Sequence, residues 1–539
     1  VAFVSNGGWL DANTADGIRL SLAEEYSHIY VYNLRGNSRV RGRAASAEGG
    51  NVFNVRVGIA IFIGIKLPHH SGKCVIEYSE IEPNLTRQQK LSKLSDLQLT
   101  SIPWRSIVPN TEGDWAKQRD TSFSAWPVLG KTRVSSSPSI FRQHSLGLFT
   151  SRDAWSYNFS RNELLRNVRR LVSNYQVARD FFNRFTHDAG ENRSESLVNK
   201  FLLTEKDLAD ASFVKWSAGL KKRLARDEQI RVNQADARVC AYRPFNLQVG
   251  YFGEKLCERR GSLEMMFPTA KHQNHGIAII APRDGTDFTV LMTNAMPDLS
   301  FFTYAVQFFP RYTYERVTHK HQLRFDEEQD TSGYRRIDNI SDELLKVYRD
   351  AVGEKVTKND IFNYVYGILH DPTYRERYAA DLQKMLPRIP LPDTVDRFAA
   401  VADIGRQLAE LHLNYEQARG YELDVQLKSG IDPDDRETWR VSKIKWRSKA
   451  DHSALTYNGK VSITGIPDEA HEYMLGSRSA LEWIIDRYQV KTDKSSGIVN
   501  DPNDWCDERD DPTYIVNLIK KITTVSVETM KLVAELRRT

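Results

Sequence analysis

Clusters of lysine and arginine are the residues of this sequence whose type and spacing could do chemistry. The densest region runs from residue 217 to residue 260, and its cations are Lys221, Lys222, Arg223, Arg226, Arg243, Arg259 and Arg260. Aromatic side chains are interleaved with them, namely Tyr242, Phe245, Tyr251 and Phe252. Cationic side chains contact phosphates, and an arginine can also bind guanine through two hydrogen bonds. The pattern predicts contact with a nucleic acid.

Three further basic stretches extend this prediction. Lys443 and Lys445 alternate with Ile444 and Trp446, which is typical of a strand with one basic face. Lys491 and Lys494 belong to the polar stretch 491–505, which is either a rigid surface loop packed on Trp483 and Trp505 or a contact to DNA or to another domain. Arg41 and Arg43 belong to a Gly-, Ala- and Ser-rich loop at residues 35–50.

The composition limits the class of protein but does not identify a binding partner. The chain has 539 residues, a formal net charge of +5 and a pI near 8.7, so binding to nucleic acid has to come from local clusters. The four cysteines are scattered without a CxxC pair, which argues against a zinc site or a disulfide framework. No nucleophile elbow, metal motif or phosphate loop is present. The longest apolar run, residues 57–67, is too short to span a bilayer, and we expect a cytoplasmic protein.

The elements that position these residues can be predicted from the periodicity. Residues 1–80 predict the order strand, helix, strand, strand, with the last strand in the apolar run. Residues 356–392 predict two helices, the first capped by Thr357 with Asp360 and ended by Asp371-Pro372. A long helix is expected over residues 395–417, with His412 as a packed core histidine.

Three long stretches resemble one family of proteins. They are GLKKRLAR (219–226), YRERYAADLQKMLPRIP (374–390) and SALEWIIDRYQVKTDKSSGIVNDPNDW (479–505). All three resemble the C-terminal specificity region of Type ISP restriction–modification enzymes. These are large single-chain bacterial proteins with a nuclease, a helicase-like ATPase, an adenine methyltransferase and a target-recognition domain. The resemblance implies that double-stranded DNA is the partner.

The first 80 residues resemble the back half of an N6-adenine DNA methyltransferase. The stretch Gly50-Asn51-Val52-Phe53 resembles the motif that supplies an aromatic ring to stack on the flipped target adenine, which would be Phe53. The alternative is that Phe53 is a core residue at a strand start. The glycine-rich loop for S-adenosylmethionine and the Asn-Pro-Pro-Tyr type motif are absent, and in the family they lie upstream. We therefore expect that this chain is the C-terminal piece of a longer protein and does not methylate alone. An alternative start codon read as valine would also explain Val1.

The resemblance implies a mixed α/β fold. It would comprise the terminal strands of a Rossmann-like methyltransferase sheet and then a large α+β target-recognition domain with a helical block. The implied domains are residues 1–80 for the end of the methyltransferase, 81–200 for its remainder and a helical connector, and 201–539 for target recognition. S-adenosylmethionine would serve the complete enzyme, and ATP and Mg²⁺ would serve the upstream domains of the parent polypeptide.

Two other functions are left open by the residues themselves. A self-contained enzyme, such as a hydrolase with a carboxylate pair, has no motif in its favour. A non-catalytic nucleic-acid or protein scaffolding module could use the helical block to bind another protein. Salt dependence distinguishes these possibilities, because DNA binding weakens steeply as salt rises.

Overall fold

The computed structural model describes residues 1–40, 43–131, 138–283, 286–317 and 333–539. In these ranges the helices are α1 Asp16–Glu25, α2 Arg43–Glu48, α3 Arg87–Ser95, α4 Asp153–Ser156, α5 Arg161–Ala189, α6 Glu195–Thr204, α7 Lys206–Ala209, α8 Ala218–Ala225, α9 Leu263–Met266, α10 Asp342–Val352, α11 Lys358–His370, α12 Pro372–Arg377, α13 Ala379–Lys384, α14 Val395–Leu413, α15 Arg436–Trp439, α16 Ala480–Arg487, α17 Pro502–Glu508 and α18 Tyr514–Leu536.

The strands of the described residues are short and numerous. They are β1 Ala2–Asn6, β2 His28–Asn33, β3 Ile59–Ile65, β4 Val75–Glu80, β5 Arg105–Ile107, β6 Val128–Gly130, β7 Ser139–Phe141, β8 Ser145–Leu146, β9 Tyr157–Asn158, β10 Ala237–Arg243, β11 Asn246–Tyr251, β12 Gly276–Ile280, β13 Val290–Thr293, β14 Met296–Pro297, β15 Val306–Pro310, β16 Tyr312–Arg316, β17 Tyr334–Asp338, β18 Asp424–Leu427, β19 Lys445–Trp446, β20 Ala454–Thr456, β21 Val461–Thr464, β22 Met474–Leu475, β23 Arg478–Ser479, β24 Lys491–Thr492 and β25 Val499–Asn500.

The first sheet has the strand order β1-β3-β2-β4-β5. β3 runs antiparallel to both β1 and β2, so β1 and β2 run parallel to each other, with α1 as the connection between them. β3 is the predicted apolar strand, and its place between β1 and β2 explains why Ala60 and Phe62 are fully buried. β1 forms an edge of the sheet and leaves Phe3 and Val4 exposed by 40% and 51%.

The rest of the chain is built from small sheets and helices. Two four-stranded sheets have the orders β14-β10-β11-β9 and β13-β12-β15-β8, and a third has the order β18-β21-β20-β19. The fold is therefore mixed α/β, as the sequence predicts.

The helical block is centred on α11 and α14. Thr357 and Asp360 form the predicted capping box at the start of α11. A Cβ at Gly405 of α14 would lie 2.0 Å from the carbonyl oxygen of Asn363, so this glycine lets the backbones of α11 and α14 approach closely. The second predicted helix of this block is divided into α12 and α13 at Tyr378, which leaves helical geometry with ψ at 23°.

The buried apolar residues form clusters that fall into two groups, and the groups occupy separate parts of the sequence. One group contains residues 10–116 and belongs to the first sheet, and the other contains residues 123–536. We call residues 1–116 the N-terminal unit and residues 123–539 the C-terminal unit.

The two units meet at the buried carboxylate of Asp114. Lys384 of α13 binds it at 2.6 Å and Arg119 at 2.7 Å, while an Arg19 guanidinium nitrogen lies 3.6 Å away. Burial raises the pKa of Asp114, but the hydrogen bonds from Arg119 and Lys384 outweigh burial and lower it overall. We call this group of charges the joint.

Candidate nucleic-acid interface

A cleft of about 600 Å³ lies between the two units. Asn6 and Asn33, the last residues of the parallel strands β1 and β2, both line it, so it opens at the carboxyl ends of these strands. That end of an α/β sheet is the usual place for a ligand. The loop after β12 closes the opposite side of the cleft with Arg283 and Thr286.

The lining of the cleft carries more positive than negative charge. Its cations are Arg35, Arg39, Arg105, Lys117 and Arg283, and its acids are Asp11, Glu48 and Glu80. Five cations and three acids leave a formal charge of +2. This set of donors suits phosphates.

The cations of the cleft differ in their availability. Arg35 is held by Glu80 at 2.7 Å and by the carbonyl of Ile81 at 2.9 Å, so it shapes the wall of the cleft. In the described ranges, Arg39, Arg105 and Arg283 have no ion pair. Arg105 lies over the Tyr78 ring at 5.5 Å and Arg283 over the Tyr304 ring at 4.6 Å from the ring centre. These ring contacts leave the hydrogen-bond donors of both guanidinium groups for a ligand.

The Phe53 ring stands out from the loop that borders the cleft, and it is 59% exposed. Asn51 fixes this loop, because its side-chain oxygen accepts from the Phe53 amide at 2.9 Å and its amide nitrogen donates to the carbonyls of Gly36 and Val57 at 2.9 and 2.7 Å. The alternative that Phe53 is a core residue is wrong. Stacking on a flipped base stays a prediction.

The four predicted cations at residues 221–226, in α8 and at its C-terminal end, lie outside this cleft and already have polar partners. The pairs are Lys221 with Asn199 (2.8 Å), Lys222 with Glu195 (4.0 Å), and Arg223 and Arg226 with Glu228 (2.9 and 3.9 Å). Their part in DNA binding stays a prediction, and they would have to exchange Asn199 and these carboxylates for phosphates.

Arg243 requires a correction. Its side chain is 10% exposed, donates to Asp298 at 2.6 Å and lies over the Tyr242 ring at 4.0 Å. Burial raises the pKa of Asp298 to about 6, and Arg243 opposes that shift. An arginine enclosed in this way stabilises the interior and is not available to a phosphate.

The other predicted contacts are scattered over the surface. Arg260 lies between Glu254 and Glu264, and Lys491 donates to the carbonyl of Asp486 at 2.6 Å. Four more are exposed: Arg259, Lys443, Lys445 and Lys494. Arg41 lies outside the described residues, and for Arg43 the structure describes only the backbone, at the start of α2. The structure does not bring these residues together into one patch.

Sequence reasoning missed Arg105 and Arg283, two of the cations that converge in the cleft. Arg105 and Arg283 stand alone in the sequence, without neighbouring lysines or arginines that would mark them. The only local indication for Arg283 is its place in a Pro-Arg turn after a buried strand.

Among the described residues we find neither a metal site nor a helix that could span a membrane. The described residues contain no group of three His, Cys, Asp or Glu side chains that could hold a metal ion. Within the same ranges, no helix is both long enough and apolar enough to cross a membrane.

Comparison with known proteins shows which family this chain resembles. The family model described as the Type ISP C-terminal specificity domain matches residues 139–518. A nuclease-deletion mutant of the Type ISP restriction–modification enzyme LlaGI, in complex with a DNA substrate mimic, is 34% identical with a TM-score of 0.81 over 99% of this chain and 46% of its own. The ATP-dependent Type ISP enzyme LlaBIII bound to DNA is 32% identical with a TM-score of 0.80, over 99% and 33%.

A third similar structure is a DrdV–DNA complex, 26% identical with a TM-score of 0.77 over 99% of this chain and 50% of that one. The chain thus spans half or less of the length of these three structures. No curated protein matches it.

Proposed function

The chain belongs to the Type ISP restriction–modification family and contains its C-terminal specificity domain at residues 139–518, and we propose that it recognises double-stranded DNA through the cleft between its two units. The observation that carries this proposal is the convergence of Arg39, Arg105 and Arg283, from both units, on one cleft without ion pairs among the described residues. Unpaired guanidinium groups keep their full attraction for phosphates, because no carboxylate has to be displaced.

A second part of the proposal concerns the target base. Phe53 would stack on an adenine rotated out of the duplex, because an enzyme that modifies a base amine needs the base outside the helix. The exposure of Phe53 beside the cleft and the four hydrogen bonds of Asn51 that fix its loop support this role. In a reconstructed full-length enzyme, Phe53→Ala is expected to slow methylation more than it weakens binding.

We also propose partners from the preceding part of a longer polypeptide. β1 is an edge strand, and its exposed apolar residues Phe3 and Val4 suit pairing with a further strand. An upstream methyltransferase half would bind S-adenosylmethionine, and further upstream domains would use ATP and Mg²⁺ for translocation and cleavage after recognition. Cytoplasmic DNA would be the substrate.

The test is to remove cations from both walls of the cleft with Arg105→Ala and Arg283→Ala together. Binding to a duplex pool should weaken at every sequence, and the slope of log affinity against log salt should fall by about 1.8, since each phosphate contact contributes about 0.9. Lys355→Ala is the matched control, because Lys355 is an exposed lysine of the C-terminal unit outside the cleft.

Selection of the duplex pool at two salt concentrations completes the test. An enriched asymmetric motif would support site recognition by this chain. Unchanged affinity and slope in the double variant would refute the cleft as the interface. Failure of the wild-type chain to bind DNA at low salt would favour the scaffolding module.

A further inference from the structure

A second cleft, of about 730 Å³, opens at the opposite end of strands β12 and β13. His275, directly before β12, and Asn294, directly after β13, line it, whereas Arg283, beyond the other end of β12, lines the DNA cleft. The five residues of β12, at about 3.3 Å each, separate the two ends by roughly 17 Å. The second cleft is therefore a separate site.

The lining of this cleft contains no aspartate or glutamate among the described residues. Its charged groups are Arg161, Arg238 and Arg336, which give a formal charge of +3 when the histidines are neutral. Burial, followed by the charge of Arg311, lowers the pKa of His275 to about 4, so this histidine is neutral at pH 7. The first cleft, in contrast, has three acids. A cavity with this charge attracts an anion.

The arginines retain capacity for a ligand. The Arg336 guanidinium lies 4.5 Å from the centre of the Tyr312 ring and has no ion pair in the described ranges. Arg238 donates to the carbonyls of Phe267 and Pro268, but its Nε is buried without a partner. That Nε has no accessible surface for a ligand, but each terminal nitrogen of Arg238 keeps one further hydrogen that a ligand oxygen can accept.

The floor of the cleft is apolar. Val239 lies inside strand β10 and yet is 48% exposed, and Leu247 and Met296 line the cleft beside it. The side-chain amides of Asn294 and Asn414 are exposed at the rim. A flat apolar ring system with polar groups at its edges would fit this floor. Its faces would cover Val239, and its edges would reach the side-chain amides of Asn294 and Asn414.

We propose that the second cleft binds a phosphorylated nucleoside. The phosphates would contact Arg161, Arg238 and Arg336, and the base would lie on the Val239 floor beside Tyr312. The volume is within the range of about 300–1,000 Å³ that encloses a small ligand, so the site would take one or two nucleotides and not a duplex. The nucleotide could be free or could belong to a single strand.

The experiment measures binding of four probes to the whole chain by titration calorimetry. The probes are ADP, inorganic phosphate, a 5′-phosphorylated single-stranded octathymidylate and a blunt duplex. ADP or the single strand should bind at least tenfold more tightly than phosphate, because phosphate cannot use the apolar floor. Tighter binding of ADP identifies a free nucleotide, and tighter binding of the octamer identifies a strand.

Two variants locate the binding. Arg336→Ala and Val239→Glu should each reduce nucleotide affinity about tenfold or more, and both residues are exposed enough for the fold to tolerate the change. Arg335→Ala is the matched control, since Arg335 is the neighbour of Arg336 in β17, pairs with Glu315 and does not line the cleft. Duplex binding by the first cleft should not change.

Three outcomes would overturn the proposal. They are no binding of ADP or octamer at millimolar concentration, phosphate binding as tight as nucleotide binding, and nucleotide binding that neither variant weakens. Retained duplex binding in the two variants would separate failure of this site from failure of the DNA cleft.

Discussion

Removal of the Asp114 carboxylate should loosen the contact between the two units. In the wild type this carboxylate is fully buried, and Lys384, 2% exposed, binds it from the C-terminal unit at 2.6 Å. Asp114→Ala leaves Lys384 and Arg19 buried without their anion, and a buried charge that loses its partner costs about 3–5 kcal/mol. Lys384→Met should cost less, about 1.5–3 kcal/mol, because Arg119 still binds the carboxylate at 2.7 Å.

Hydrogen exchange measured by mass spectrometry is the appropriate assay, because a chain with several apolar clusters need not unfold in one step. Peptides from residues 105–120 and 377–388 report on the two sides of the joint. A loss of about 3 kcal/mol should raise the population of the open state by about two orders of magnitude. The pKa of Asp114 lies below its ordinary 3.8, so the joint contributes stability above pH 4 and loses it only at lower pH. The assay can therefore run at pH 7.

Lys117→Met is the matched control for these variants. Lys117 is 53% exposed and forms an ion pair with Asp11 at 3.4 Å, which is worth at most about 1 kcal/mol. Hydrogen exchange should be fastest in Asp114→Ala, slower in Lys384→Met and slowest in Lys117→Met. Equal exchange in all three would refute the view that buried charges hold the units together.

Two further predictions concern stability. Burial raises the pKa of Asp381 to about 6, so the folded protein holds the proton of Asp381 more tightly than the unfolded chain does. The free energy of unfolding therefore falls as pH rises from about 4 to 6. Asp381→Asn should raise the melting temperature relative to wild type at pH 7.5 but not at pH 4.5. Gly405→Ala should lower the melting temperature by several degrees, because the new Cβ would lie 2.0 Å from the carbonyl of Asn363, whereas Gly459→Ala, with open space around it, should not. An unchanged melting temperature for Gly405→Ala would mean that α11 and α14 can move apart without cost.

Local features of the fold could be predicted from the sequence because their causes lie within a few residues. The capping box of α11, the apolar strand β3 and the long helix α14 are examples, and all three are confirmed. His412 is confirmed as a core histidine, bonded to Tyr366 and Thr529, and burial lowers its pKa to about 3. In contrast, no proline or glycine at Tyr378 indicates that the predicted helix is divided there into α12 and α13.

The candidate site was less predictable because charge neutralisation depends on distant residues. Arg243 is paired by Asp298, 55 positions away, and Lys222 of α8 pairs with Glu195 from a separate helix. A run of cations in the sequence therefore overestimates the charge available to DNA. Arg105 and Arg283 are single residues, far apart in the chain, and only the fold brings them together with Arg39.

The joint and the first cleft share one segment of chain. Residues 105–119 carry Arg105 and Lys117 of the cleft as well as Asp114 and Arg119 of the joint. The two walls of the cleft belong to different units, so their spacing depends on the joint. Lys384→Met removes no cleft residue, and we expect it to weaken DNA binding without lowering the salt slope. A fall in slope with unchanged affinity would instead place Lys384 among the phosphate contacts and would contradict its role in holding the units together.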